Sequence, residues 1–164
     1  MIRHTEADLV AFLRQNLATG DQAGAVRDRI LLRLGAAGIP RDLAKARSDL
    51  AGDWADFAIE PVEEVLYWMG ECVALAYGYK ITADTPGHRW KAIEAAKLYT
   101  EAFLGPVAPM AIEFHEVGKA RNARKYTEAP VAKDLVTRWL ALVERVWALF
   151  EGDFRRRAQA RRAL

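Results

Sequence analysis

From Thr5 to Phe150 the apolar residues of this chain recur at spacings of three and four, and no segment shows the period-two alternation of a half-buried strand. A helix with one apolar stripe must cover it, and here only other helices are on offer. Residues 60–77 make the strongest demand. Val62, Val65, Leu66, Trp68, Met69, Val73 and Leu75 place apolar side chains on most faces, which suits a helix at the centre of a bundle. We therefore expect an all-α, single-domain bundle of six to seven helices with an up-down core.

Local signals set the expected boundaries. Thr5 followed by Asp8 is a helix start with an acid at the third position, and Leu9, Phe12, Leu13 and Leu17 form the stripe behind it. Gly20-Asp21 breaks that helix. A second spans about 22–36 with Val26, Ile30, Leu31 and Leu34 inward, closed by Gly35 and Gly38. Pro40 fits the first turn of a third, which runs to Leu50 before Gly52-Asp53. Pro61 opens the apolar helix, with Glu60, Glu63 and Glu64 at its positive end. Residues 78–84 read as a loop. Thr85-Pro86 opens a helix to Phe103, Gly105-Pro106 ends it, and 107–123 are helical again. A loop from Tyr126 to Pro130 precedes a final helix at 131–158, with Val131, Leu135, Val136, Trp139, Leu142, Val143, Val146, Trp147 and Phe150 at bundle spacing.

At 164 residues, 52% apolar and 28% charged, the chain can bury one substantial core and is too apolar for disorder. The net charge is only +2, but the last ten residues hold five arginines and no acid, so the remainder carries −3. Electrostatic attraction to a polyanion would sit at that Arg-rich end, which otherwise reads as a solvated, frayed helix terminus complementing the dipole. The single cysteine, Cys72, lies in an apolar stretch and reads as a small core residue, so disulfide frameworks and multi-cysteine metal sites are excluded. The start of the chain lacks a signal peptide's apolar core, and no apolar run approaches the roughly 18 residues of a membrane span. The expected location is the cytoplasm, without membrane attachment.

The segment Lys119-Ala120-Arg121-Asn122-Ala123-Arg124-Lys125-Tyr126 concentrates the chemistry, between two expected helices. Its residues admit two readings. Asn122 could cap a helix end, with Arg121 paired to an acid and Tyr126 leaning on the bundle. Alternatively, a guanidinium and an amide are displayed towards an anionic guest. His88 and His115 read as solvated or locally bonded, unless the fold brings either beside Arg121. Glu63, Glu64 and Glu71 read as a solvated acidic face. There is no Glu-x-x-His pair, no phosphate-binding Gly-x-x-x-x-Gly-Lys-Ser/Thr loop and no Gly-x-Ser-x-Gly elbow, so we expect no metal centre and no cofactor.

Residues 58–154 resemble the HEPN family. Arg121-Asn122-Ala123-Arg124-Lys125-Tyr126 stands where those domains carry Arg, often Asn, and then His, just before their last long helix, here Val131–Phe150. Gly87-His88-Arg89-Trp90-Lys91-Ala92-Ile93-Glu94-Ala95 is similar to an upstream helix start in many members, and 60–77 would be the central helix. The first 55 residues carry no such resemblance. We accordingly divide the chain into a helical extension (1–55), a HEPN-like bundle (56–154) and an Arg-rich tail (155–164).

The resemblance implies a homodimer whose Arg-Asn segments face one cleft, and a metal-independent endoribonuclease or an inactive relative that binds RNA or a nucleotide phosphate. A cognate antitoxin-like protein is a further implied partner. On that pattern Arg121, Asn122 and Tyr126 take the catalytic positions, with Arg124, Lys125, His88 and Arg89 binding. The departure is Tyr126 in place of the motif His, since a phenol of pKa about 10 is a poor base near neutrality. Two other classes stay open. One is a dimeric helical adaptor of a toxin–antitoxin or defence system, with Trp139 and Trp147 partly at an interface. The other is a small-molecule bundle walled by Tyr67, Trp68, Trp90 and Tyr99.

Overall fold

The computed structural model describes residues 3–20 and 23–164. Its α-helices are α1 (Glu6–Asn16), α2 (Ala23–Leu34), α3 (Ile39–Ala51), α4 (Ile59–Ala76), α5 (His88–Phe103), α6 (Phe114–Thr127) and α7 (Lys133–Ala160). Short 3₁₀ helices at Ala55–Ala58 and Gly105–Glu113 join α3 to α4 and α5 to α6. The architecture is an all-α bundle. The expected break at Asp21 and helix start at Gln22 lie outside the described residues.

Local chemistry accounts for several boundaries. The Thr5 hydroxyl accepts from the Asp8 amide while Asp8 accepts from the Thr5 amide, a reciprocal cap on α1. At the far end, Arg162 adopts a left-handed φ of 59°, the Ala163 amide donates to the Ala158 carbonyl, and the Arg162 amide donates to Gln159. Those two bonds are a Schellman closure, and α7 carries the Arg-rich end as helix as far as Ala160. Arg157 lies 3.7 Å over the Phe103 ring and Arg161 3.8 Å over Tyr77, while Arg161 also donates to the Ala76 carbonyl. Both guanidinium groups thus lie on aromatic faces, attracted by the ring quadrupole.

α4 is the centre, touching α2, α3, α5, α6 and α7. At its crossing with α5 the two backbones come into direct contact. A Cβ on Gly70 would stand 1.8 Å from the Ala92 carbonyl oxygen, so only a residue without a side chain lets the two backbones meet. One continuous apolar cluster runs from Leu9 in α1 to Ala158 in α7, with Cys72 fully buried inside it.

Several expectations need correcting. Thr85-Pro86 does not start α5. The Thr85 hydroxyl instead accepts from the Thr82 amide in a turn, and Gly87, at φ 64°, makes the entry before His88. Ala18–Thr19 pairs antiparallel with Tyr79–Lys80, a two-residue ladder too short to show an alternation. Leu31 is exposed rather than inward. Residues 105–113 wind as 3₁₀ helix, which the prolines at 106 and 109 accommodate at the start of the connection. Glu63 and Glu71 are buried, so they do not form a solvated face. Glu71 is held by Arg33 at 3.0 Å and by Arg29 at 3.9 Å.

Candidate functional site

The Arg-Asn segment does not break the helix. α6 continues through it to Thr127, and Glu128 at φ 56° closes it. Helical spacing therefore distributes the candidate residues around the axis instead of presenting them together.

Arg121 faces inward and is only 5% exposed. Its Nε donates to Glu60 at 3.0 Å, and Glu63 lies 3.9 Å away. Its Nη1 donates to the Asn122 side-chain oxygen at 3.2 Å. The guanidinium is thus locked in an internal ion pair instead of being displayed. Glu63, 1% exposed, also takes Arg89 at 2.5 Å, and Arg89 reaches Glu64 at 3.1 Å. Burial pushes the Glu63 carboxyl above its ordinary range, against the opposing charges of Arg89 and Arg121. The result is a chain of alternating charges, Glu64–Arg89–Glu63–Arg121–Glu60, tying α4, α5 and α6 together.

The remaining candidates separate into two neighbourhoods. Arg124 lies 3.6 Å over the Phe57 ring and pairs with Asp56 at 3.4 Å, beside Lys125 and Glu128, in a surface concavity of about 380 Å³. Tyr126 stands 72% exposed, with the Lys125 ammonium 5.5 Å from its ring. His88 packs edge-on against Tyr67, and burial, then the charges of Arg89 and Arg121, lower its pKa.

The second neighbourhood is a shallow cleft of about 70 Å³ between α5 and α6. Glu63 and Arg89 form its floor, Ile93 and Gly118 its waist, and Trp90, His115, Lys119 and Asn122 its rim. Gly118 permits the close approach, because a Cβ there would stand 3.1 Å from the Ile93 terminal methyl. Trp90 is 54% exposed, yet it is stacked on His115 with ring centres 5.0 Å apart at 15°, and Phe12 meets it edge-on at 6.1 Å. The His115 Nε2 bonds the Glu94 carboxylate at 2.5 Å. Burial pushes the Glu94 carboxyl up, but the His115 bond and the Lys97 charge outweigh it and hold it below the ordinary range. Because Arg121 donates to the Asn122 oxygen, the Asn122 amide nitrogen keeps its donors for another partner.

So the structure joins Asn122, Arg89 and His115 in one cleft, places Arg121 beneath it, and leaves Arg124, Lys125 and Tyr126 elsewhere. The four aromatic residues expected as walls do not share a cavity. Tyr67 and Tyr99 are buried, Trp68 donates to Asp42 at 3.1 Å beneath Arg33, and Trp90 stands apart from them. Trp139 is buried in the chain's own core. Lys119, Glu63 and Glu94 carry roles that reasoning from motifs passed over. A signal existed for the first, since 115, 119 and 122 are spaced four and three apart on one face of α6. Among the described residues no cluster of His, Cys, Asp or Glu is arranged to hold a metal ion, and no helix is long and apolar enough to cross a membrane. No family model, curated protein or solved structure matches this chain.

Proposed function

We propose that the chain is a HEPN-like bundle that binds single-stranded RNA or a nucleotide without cleaving it, through the rim of the α5–α6 cleft. The observation that carries the reading is the half-exposed Trp90 indole, held rigid by His115 and flanked by Lys119 and Asn122. An aromatic face that is both fixed and solvent-facing is what a base stacks on, typically worth about 1–3 kcal/mol per base. At about 70 Å³ the cleft is too small to enclose a nucleobase, so the base lies over the indole. Asn122 then donates to its edge and Lys119 meets the adjoining phosphate. Arg121 acts as a positioning residue, fixing the Asn122 amide from below. Two features favour binding over cleavage: the Arg121 charge is already matched by Glu60 and Glu63, and Tyr126 replaces the motif imidazole while pointing to solvent.

Titration of a short single-stranded RNA against tryptophan fluorescence tests this. Quenching is expected, reduced about tenfold or more in apparent affinity by Trp90→Ala with unchanged circular dichroism, and weakened as salt rises. RNA incubated with the protein and a chelator should stay intact. Metal-independent cleavage lost in Arg121→Ala would restore the catalytic assignment, and equal binding by Trp90→Ala would remove the stacking platform. A second reading, a dimeric adaptor, draws on the exposed Trp54, Ile112 and Tyr126. It predicts a dimer in sedimentation that Tyr126→Glu dissociates, with no RNA bound.

A further inference from the structure

We infer that the molecule carries a second binding site, for a small organic anion with an apolar body, in the cavity where the N-terminal segment meets the end of α5 and the Gly105–Glu113 helix. The cavity is about 330 Å³, within the range of small-molecule sites. It is a different place from the Trp90 rim. Glu101 lies eleven residues further along α5, about 16 Å away along the helix.

The polar side of this cavity presents one guanidinium edge that no acid among the described residues takes. Glu101 contributes one carboxylate, largely buried, which His4 and Lys97 both hold, the latter at 3.2 Å. Arg3 uses its Nε on the main-chain carbonyl of the same residue. Its two terminal nitrogens lie 3.5 and 3.9 Å from where a Cβ on Gly105 would stand, and no acid among the described residues pairs with them. A guanidinium whose outer edge faces a cavity is a ready-made two-point donor for a carboxylate. The opposite side is apolar. Ala108, Pro109 and Ile112 line it, and Ile112 is 64% exposed, a cost that an apolar guest would relieve. The unpaired Arg3 edge argues against a neutral guest, and the apolar wall argues against a bare inorganic anion. What fits both sides is a carboxylate carrying an aliphatic or aromatic body.

Calorimetry and thermal shift with butanoate, hexanoate, octanoate, 1-hexanol and inorganic phosphate decide the matter on the intact chain. Stabilisation should grow from butanoate to octanoate and be absent with hexanol or phosphate. Arg3→Ala and Lys97→Met should each weaken octanoate about tenfold. Ile112→Ser should flatten the dependence on chain length; Arg3 and Ile112 are exposed, and because Lys97 also holds the largely buried Glu101, circular dichroism and the urea midpoint check that Lys97→Met stays folded. Hexanol acting as well as hexanoate, phosphate acting as well as octanoate, no binding of any carboxylate, or wild-type affinity in Arg3→Ala and Lys97→Met would each overturn the assignment. RNA binding is expected to survive Arg3→Ala and Ile112→Ser, which lie away from the Glu94–His115–Trp90 contacts, so failure here and failure of the Trp90 reading are told apart.

Discussion

Replacing Arg121 with methionine separates a locked guanidinium from a displayed one. Methionine keeps much of the length and apolar stem but removes the charge that faces Glu60 at 3.0 Å and Glu63 at 3.9 Å. Taking one partner from a buried ion pair typically costs 3–5 kcal/mol, because the other charge stays behind without compensation. Here the loss is softened: Glu63 keeps Arg89 at 2.5 Å, and Glu60, about a third exposed, keeps Arg124 at 3.8 Å. We expect the lower end, about 3 kcal/mol at pH 7.5, which for a domain of this size lowers the melting temperature by roughly 6–12 °C. The effect also has a definite pH dependence. Burial already raises the Glu63 pKa, and Arg121 is one of the charges pulling it back down. Without Arg121 the folded-state pKa of Glu63 rises further, so Glu63 takes up its proton at a higher pH than in the parent and the penalty shrinks as pH falls. Urea unfolding followed by circular dichroism from pH 5 to pH 8 measures both the size and the slope. A second substitution, Glu63→Gln, should recover part of the loss at pH 7.5. A cost under about 1 kcal/mol, flat with pH, would show that Arg121 is not held by this network, and the reasoning that makes it a positioning residue would fail with it.

Two other perturbations follow from the geometry. Gly70→Ala drives a methyl into the Ala92 carbonyl, a backbone group that cannot rotate away, and should cost more than about 3 kcal/mol or prevent folding; folding yield and urea midpoint report it. Glu94 is held below its ordinary carboxylate range, so its contribution is fully present above its unfolded pKa near 4.5 and is lost as pH falls through the folded value. Glu94→Gln should therefore be less stable than the parent at pH 7, and the gap should narrow progressively as pH falls below about 4.5, as read by thermal melts across that range.

The helical character of the chain was legible residue by residue. The Thr5–Asp8 cap, the apolar stripes of α1 and α7 and the all-round apolarity of α4 are properties of neighbours three or four apart, and that local information is present in a linear sequence. The 107–123 segment shows where local reading stops. Its pattern foretold helix, but not that prolines 106 and 109 would wind the first part as 3₁₀, nor that α6 would run through Arg121 to Thr127. Glu63 and Glu71 were misjudged for the same reason. A carboxylate on a helix looks solvent-facing until its partners are known, and those partners, Arg89 and Arg33, are 26 and 38 residues away.

What the sequence determined by itself is the class of fold and the residues that line its core, since burial of a periodic apolar stripe is a demand any bundle must meet. Tertiary structure alone decided which charges are spent inside and which remain at the surface. Arg121 and Trp90 both looked like core or site candidates in the string. The pairing of α6 against the acidic turn of α4 consumed the guanidinium, while the close α5–α6 contact at Gly118 left the indole outside, stacked and exposed. Ion pairing and stacking depend on distances between segments far apart in the chain, and those distances exist only once the bundle has closed.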